Sequence, residues 1–198
     1  CGDKVVAIFN PIPSYTTLEL ADPRTWGRTP YVCAVSGDDG KKFDKIFCNY
    51  PFGLHLRELG PKHEYLKTVA KKVPSVSKAT SSDWLFNHLL IDSLNEGGKA
   101  IGIMTNGSTW NTIDRNTREY FVEQGYIECV IALPAKLFAS TNIPTTMIIL
   151  SHGNETIRMI DATDVCMKGR RQNLLSDEDI EKIVAAYTED TEISRVLS

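Results

Sequence analysis

The amino-acid sequence predicts an α/β fold whose mostly parallel sheet has an antiparallel edge. Short runs rich in β-branched residues, such as Val5 to Phe9 and Thr145 to Leu150, alternate with longer segments that begin with helix-capping residues. The run from Thr145 is followed, across His152-Gly153-Asn154, by another β-type run, which favours a hairpin. Strands joined by helical crossovers pair in parallel, and the hairpin supplies the antiparallel edge.

Each strand is predicted from a short apolar run that turn-forming residues close. Val5 to Phe9 stops at Asn10-Pro11, and Phe43 to Cys48 stops at Asn49-Tyr50-Pro51. By the same criterion, strands are predicted at residues 5–9, 31–35, 43–48, 99–104, 127–133, 145–150 and 156–160.

The helices are predicted from their capping residues. A brief helix is expected at residues 14–20. Ser81-Ser82-Asp83 predicts a helix that continues to Gly97-Gly98, and Asp114 opens one that runs to Gly125. A capping box from Ser176 to Asp179 opens the last helix.

Composition indicates a globular protein of the cytoplasm. The 198 residues, 42% of them hydrophobic, suffice for one sizeable core, and no apolar run approaches the ~20 residues of a membrane span. Five cysteines without paired spacing argue against a disulfide framework and a zinc site, which favours a reducing compartment. The start at Cys1, without Met, suggests a fragment of a longer protein. Because the net charge is -3, nucleic-acid binding would need a local basic patch.

The turn from Asn49 to Phe52 carries groups that suit a planar base with an exocyclic amine. The Asn49 side-chain oxygen and the Tyr50 carbonyl are two acceptors for the two amine hydrogens, and this pairing makes the amine nitrogen more nucleophilic. Phe52 would stack on the base. These residues alone are also explained by an ordinary strand-to-loop corner, because Asn and Pro are common turn formers.

Two other features suggest ligand contacts. Asp38 follows the predicted strand 31–35, and ligands of parallel sheets bind outside the carboxyl ends of strands, so its carboxylate is a candidate cofactor contact. The alternative is a plain Asp-Asp-Gly turn. Lys67, Lys71 and Lys72 belong to a locally basic segment, residues 53–80, which is the candidate phosphate-contacting patch. The alternative there is a solvated loop.

Several stretches also carry motifs of a known family. Phe43 to Gly53 resembles an Asn-Pro-Pro-Phe signature strand, and Gly97 to Gly107 is similar to a strand with a Pro-Asn-Gly ending. Glu128 to Thr145 resembles the run A-V-I-x-L-P, L-F, T-x-I-P-T, and Gly169 to Ile183 resembles a tail of the form K-G-K-x-Q-N-x-L-T-x-E-D-I-x-x-I. Between about residues 36 and 190 the chain thus resembles the modification (methyltransferase) subunits of type I restriction-modification enzymes, the adenine-specific N-6 DNA methylases.

The resemblance implies methyl transfer from S-adenosylmethionine to the N6 amine of adenine in DNA. It implies a Rossmann-like S-adenosylmethionine-dependent methyltransferase fold, here expected to lack the first strand and the glycine-rich cofactor loop. Asn49 and the Tyr50 carbonyl would hold the amine, Pro51 would shape the turn, and Phe52 would stack on the flipped adenine. Asp38 would lie near the adenine of the cofactor.

The resemblance also implies partners and a domain division. The expected partners are double-stranded DNA, a specificity subunit, a restriction subunit and a second modification subunit, with no membrane. Residues 1–165 are expected to form a partial methyltransferase catalytic domain, and residues 166–198 a C-terminal helical tail. The chain by itself is expected to be inactive.

Two positions depart from the family pattern. Ile8 is expected at the end of the family's second strand, where an acid normally contacts the ribose hydroxyls of the cofactor. Tyr50 replaces the first proline of the signature, a tolerable change because the group needed is a backbone carbonyl. These departures leave open a catalytically degenerate scaffold subunit that binds the specificity subunit. A methyltransferase of RNA or of glutamine amides is a further alternative, although the tail from Gly169 to Ile183 argues against it.

Overall fold

One mixed sheet organises the described part of the chain, which the computed structural model gives as residues 5–9, 42–49, 52, 54–59, 64–79, 81–138 and 142–198. Its strands are β1 (Val5–Phe9), β2 (Phe43–Asn49), β3 (Leu94–Thr105), β4 (Ile127–Ala132), β5 (Thr145–Leu150), β6 (Ile157–Asp161) and β7 (Ser194–Leu197). The seven strands lie in the order β1-β2-β3-β5-β4-β6-β7.

The helices occupy the connections between strands. The link from β2 to β3 contains α1 (Leu56–Leu59), α2 (Glu64–Lys72), a 3₁₀ turn at Pro74–Lys78 and α3 (Asp83–Asp92). A second 3₁₀ turn (Asn106–Thr109) and α4 (Arg115–Glu123) lead to β4, and α5 (Asp177–Thr188) precedes β7. Two predicted starts are confirmed, since Asp114 is the N-cap of α4 and Ser176 forms a capping box with Asp179 at the start of α5.

Parallel pairing brings several strand ends to one edge of the sheet. β1, β2 and β3 are parallel neighbours, with Phe9 opposite Cys48 and Asn49 opposite Ile103, and β6 is parallel to β4. We call the edge at which these strands end the carboxyl edge. The predicted α/β fold with a mostly parallel sheet is confirmed, and β5 and β7 run in the opposite direction.

The hairpin predicted between residues 145–150 and 156–160 is wrong. β5 is inserted between β3 and β4 and is antiparallel to both, with Ile148 opposite Gly102 and Val130. β6 instead pairs with β4, and β7 forms the antiparallel edge. The physical reason is burial: β5 is buried along almost its whole length, so a position between two strands, where both of its hydrogen-bonding edges are paired, is favoured over the edge of the sheet.

The helix predicted to reach Gly97-Gly98 ends earlier, at Asp92. The Phe43 amide donates to the Ser93 carbonyl at 2.9 Å, so the chain joins the sheet directly after the helix. Gly98 lies inside β3, where an added Cβ would come within 3.0 Å of the Asp44 carbonyl oxygen. This glycine therefore serves the close approach of β2 to β3 and does not end a helix.

The residues on either side of the predicted domain boundary contribute to the same sheet. α5 contacts β6, and β7 pairs with β6 in antiparallel fashion. The division into residues 1–165 and 166–198 stays a prediction.

The strand predicted at 31–35 and the helix predicted at 14–20 lie outside the described residues. In the part of the chain that is described, no helix is long and apolar enough to cross a membrane.

The two faces of the sheet are covered differently. α3 is buried over nine of its ten residues and forms the main core with β2, β3 and α4, in which Trp84 and Phe121 are in edge-to-face contact at 5.0 Å. On the opposite face, α5 borders an apolar groove of about 540 Å³ whose floor includes Phe47, Ile101 and Met147.

His88 lies in the main core without a hydrogen-bond partner for its Nε2 atom among the described residues. Its side chain is 3% exposed and contacts the rings of Phe121 at 4.7 Å and Tyr120 at 5.7 Å. Burial lowers the pKa of His88 to about 4, although the nearby Asp92 carboxylate acts in the opposite direction. The imidazole is therefore neutral in the folded protein at neutral pH.

We expect stability to fall in acid because of His88. An unfolded histidine binds a proton near pH 6.5, whereas folded His88 binds one only near pH 4, so acidification between these values favours the unfolded state. The free energy of unfolding should drop by about 3 kcal/mol across this window, and His88→Leu should remove that part of the pH dependence. Urea unfolding at pH 7 and pH 4.5 measures the effect. His152→Gln, which changes an exposed histidine, is the control and should lose as much stability as the unaltered protein. If the free energy of unfolding of His88→Leu falls between pH 7 and pH 4.5 by as much as that of the unaltered protein, the assignment is wrong.

Candidate active site at the carboxyl edge

Asn49 is the last residue of β2 and lies at the carboxyl edge beside β3. Its side chain is half-buried, and its Oδ1 atom is fully buried without a hydrogen-bond donor among the described residues. A buried amide oxygen left unpaired costs on the order of 1 to 3 kcal/mol, so such atoms mark strain or a missing ligand. The atom predicted to accept from the base amine is therefore an acceptor that no donor among the described residues uses.

Phe52 is held by a second aromatic residue. It packs edge-to-face on Phe138, with ring centroids 5.2 Å apart and an interplanar angle of 75°. Phe138 follows β4 and thus reaches this edge from the other side of β3 and β5. The sequence motif contained Phe138 but assigned it no role. Its place shortly after a predicted strand is compatible with this edge, but no local pattern indicates its contact with Phe52. Tyr50, Pro51 and Asp38 lie outside the described residues.

The start of α3 holds the chain where it leaves the predicted base-binding turn. Both the amide and the hydroxyl of Ser82 donate to the Leu54 carbonyl, at 3.0 and 3.1 Å. His55 and Ser81 form an isolated antiparallel bridge beside it. Ser81-Ser82-Asp83 was predicted to start this helix, and Ser82 is its N-cap. The Ser82 side chain makes no capping hydrogen bond, because its hydroxyl donates to Leu54 instead.

Asp83, the next residue, holds the turn that follows β3. Its carboxylate is fully buried, and Oδ2 accepts from the Thr105 amide at 3.1 Å, the Thr105 hydroxyl at 2.5 Å and the Ser108 hydroxyl at 2.7 Å. Burial raises the pKa of Asp83, and these hydrogen bonds oppose the rise. Ser82 and Asp83 together tie the exits of β2 and β3 to one helix start.

The turn after β3 is also joined to β5. The Asn106 amide donates to the Pro144 carbonyl at 3.1 Å, and the Asn106 side-chain oxygen accepts from the Thr146 hydroxyl at 2.9 Å. This places the Thr105-Asn106-Gly107 motif of the sequence at the carboxyl edge beside Asn49, as its place after a strand predicts.

A loop near the C-terminus fixes the segment that carries Phe138. The Asn173 side chain donates to the Ala135 carbonyl at 2.9 Å, and the Gln172 side chain donates to the Leu137 carbonyl at 2.7 Å. The Asn173 amide donates to the carbonyl of Lys136, which has a positive φ of 59°. The Gly169 to Asn173 motif of the sequence thus lies beside the site, a placement that its chain position could not reveal.

The lysines predicted to contact phosphates lie elsewhere. Lys67, Lys71 and Lys72 are exposed on α2. Lys72 pairs with Asp92 at 3.6 Å, at the end of α3 opposite to Ser82, and a helix of this length separates its ends by roughly 15 Å. The segment forms a helix, but the structure does not bring these lysines to Asn49.

The fold is that of the class I S-adenosylmethionine-dependent methyltransferases. A putative enzyme of this class from Listeria monocytogenes is similar over 74% of this chain and 42% of its own, with 15% sequence identity and a TM-score of 0.52. At this identity the likeness concerns the fold alone.

The chain belongs to the N-6 DNA methylase family, whose sequence model matches residues 27–197. A type I restriction-modification methyltransferase subunit from Streptococcus thermophilus is similar in structure over 81% of this chain, with 27% identity and a TM-score of 0.68. The type I restriction enzyme MpnII methylase subunit of Mycoplasma pneumoniae is 32% identical over 82 residues, or 40% of this chain. The predicted resemblance to type I modification subunits is confirmed. The chain spans 35% of the Streptococcus protein and 15% of the Mycoplasma protein.

Removing the Asp83 carboxylate should destabilise the fold more than removing an exposed acid. Asp83→Ala leaves three donors without their acceptor, one on buried Ser108 and two on half-buried Thr105, and we expect the free energy of unfolding to fall by about 3 kcal/mol in urea titrations. Asp164→Ala, which removes an exposed acid paired with Lys168, should change it by less than about 0.5 kcal/mol. Equal losses in the two variants would show that the Asp83 bonds contribute little.

Proposed function

We propose that this chain carries the target-base half of a DNA adenine N6 methyltransferase, the modification subunit of a type I restriction-modification system acting in the cytoplasm. The main support is the buried Asn49 Oδ1 atom at the carboxyl edge, which has no hydrogen-bond donor among the described residues and is close in sequence to an aromatic ring that packs on Phe138. Membership of the N-6 DNA methylase family makes adenine in DNA the matching substrate.

In this mechanism the adenine leaves the duplex before it reacts. Phe52 stacks on the extruded base, and stacking of this kind contributes roughly 1 to 3 kcal/mol towards holding the base outside the helix. Phe138 fixes the orientation of the Phe52 ring through their edge-to-face contact. The protein thereby offsets part of the cost of unpairing and unstacking.

The amine is activated by two acceptors. Asn49 Oδ1 and the Tyr50 carbonyl accept the two N6 hydrogens, which draws the nitrogen lone pair out of conjugation with the ring. Pro51 would favour an extended conformation of Tyr50, in which the Tyr50 carbonyl could face the base. The same two oxygens would stabilise the positive charge that develops on N6 as the methyl–sulfur bond of the donor breaks and the N6–methyl bond forms, and the proton that N6 then loses would pass to water.

The methyl donor in this proposal is S-adenosylmethionine, which supplies an electrophilic methyl group on a sulfonium. The position of Asn49 fits such a donor, because β1 and β2 end side by side at the carboxyl edge, with Phe9 opposite Cys48. Asp38 would accept a hydrogen bond from the adenine of the cofactor, and Ile8 in place of an acid would weaken its binding.

The proposed partners follow from the same family membership. We assign double-stranded DNA as the substrate, with a specificity subunit, a restriction subunit and a second modification subunit as the complex. A scaffold that had lost catalysis would retain the subunit contacts but would not bind S-adenosylmethionine in a calorimetric titration of the complete protein.

Asn49 should be required for chemistry and nearly dispensable for DNA affinity. In the complete protein, Asn49→Ala removes one acceptor from the amine, and we expect the methyl-transfer rate to fall by at least about 10²-fold. Transfer of labelled methyl groups to an adenine-containing duplex measures this, with Asn116→Ala on the exposed face of α4 as the control. Full activity of Asn49→Ala, or transfer to RNA in place of the duplex, would refute the assignment.

The lysines of α2 are proposed to contact DNA phosphates away from the target base. Changing Lys71 and Lys72 together to Ala should reduce the slope of log affinity against log salt by about two, because each phosphate contact contributes about one. Fluorescence anisotropy between 50 and 200 mM salt measures the slope. If the slope stays the same, α2 is merely a solvated surface.

A further inference from the structure

A rigid, basic loop lies beside the candidate site and has no role in the mechanism above. We define the arginine loop as residues 168–173. The two flanking residues pair at its base: the Met167 amide donates to the Leu174 carbonyl at 2.9 Å, and the Leu174 amide donates to the Met167 carbonyl at 3.0 Å. Arg170 and Arg171 are exposed, and neither forms an ion pair or hydrogen bond within the described residues. Lys168 pairs with Asp164, also on the surface.

The backbone of the arginine loop is held in one conformation. The Gly169 amide donates to the Asn173 side-chain oxygen at 3.1 Å. A Cβ at Gly169 would lie 2.0 Å from the Gln172 carbonyl oxygen, so only glycine fits. Flexible surface loops need no such construction, whereas a loop that presents two side chains to a ligand gains affinity from it, because less conformational entropy is lost on binding.

The same loop is attached to the base site. Gln172 and Asn173 bond the backbone of the segment Ala135 to Leu137, and the next residue, Phe138, packs on Phe52. The two arginines therefore project from a loop that is connected, through a short series of direct contacts, to the ring proposed to stack on the target base. The exposed Lys136 in that segment adds positive charge.

The chemistry of arginine suits a phosphate ligand beside the base site. Its planar guanidinium donates two parallel hydrogen bonds to a phosphate, and a nucleotide turned out of the duplex needs its flanking phosphates held in register with the base pocket. An acidic protein surface would also attract these charges, but it gives no reason for a rigid connection to the base site.

We propose that Arg170 and Arg171 bind backbone phosphates next to the flipped adenine. This inference rests on the proposed function and deepens it, because it adds a phosphate-binding site to the base pocket. It also assigns a purpose to the Gly-Arg-Arg-Gln-Asn motif: glycine shapes the loop, the amides of Gln172 and Asn173 attach it, and the arginines contact DNA.

The test measures the salt dependence of DNA binding in the complete protein, with any subunits that binding requires. Changing Arg170 and Arg171 together to Gln should reduce the slope of log affinity against log salt by about two and raise the Kd about tenfold or more at 0.1 M salt. The lysine pair Arg170→Lys and Arg171→Lys should keep the slope, since it keeps the charge. Lys182→Gln with Arg195→Gln removes equal charge from α5 and β7 and should leave the slope unchanged.

A second variant tests the loop itself. Gly169→Ala keeps both arginines but displaces the backbone, and it should weaken DNA binding while circular dichroism stays that of the unaltered protein. An unchanged slope in the glutamine variant overturns the proposal, and so does a loss confined to assembly with another subunit, measured by size-exclusion chromatography. Methyl transfer by the unaltered protein is scored separately, so a failure of the proposed function is distinguishable from a failure of this inference.

Discussion

The buried carboxylate of Asp83 joins the two turns on which the candidate site depends. Its hydrogen bonds to Thr105 and Ser108 hold the exit of β3, while the adjacent Ser82 holds Leu54 at the exit of the turn after β2. Three donors point at one oxygen and the start of a helix favours negative charge, so both effects oppose the rise that burial causes in the pKa of Asp83. One helix start thus sets the spacing of strand ends that are about fifty residues apart in sequence.

The site draws its parts from three distant segments of the chain. Asn49 ends β2, Phe138 follows β4, and the loop that supports Phe138 belongs to the segment before α5. Parallel pairing makes this possible, because it delivers the ends of successive strands to a single edge. Asn49 and the aromatic residue that supports Phe52 therefore lie at the same edge without being neighbours in sequence.

Local patterns account for the parts that the sequence could predict. Neighbouring residues determine the apolar runs of β2 and β4 and the capping box at Ser176. These elements could therefore be predicted from short stretches of sequence. The predicted hairpin after β5 was wrong because the partners of β5 are the strands that pair with its two hydrogen-bonding edges, and the apolar run of β5 alone does not encode which strands these are. Phe138 and the attachment of Asn173 to Ala135 depend on contacts 38 or more residues apart, and no spacing rule reports them.

The position of β5 has a consequence for the order in which the molecule folds. Because β5 hydrogen-bonds β3 on one side and β4 on the other, neither pairing can be complete until the chain has been synthesised through Leu150. Before that point β3 and β4 each present an open edge, which is a place where other chains can pair. Pairing with β5 joins β4 to the sheet that contains β3, so chaperone protection would matter most in the interval between the synthesis of β3 and that of β5.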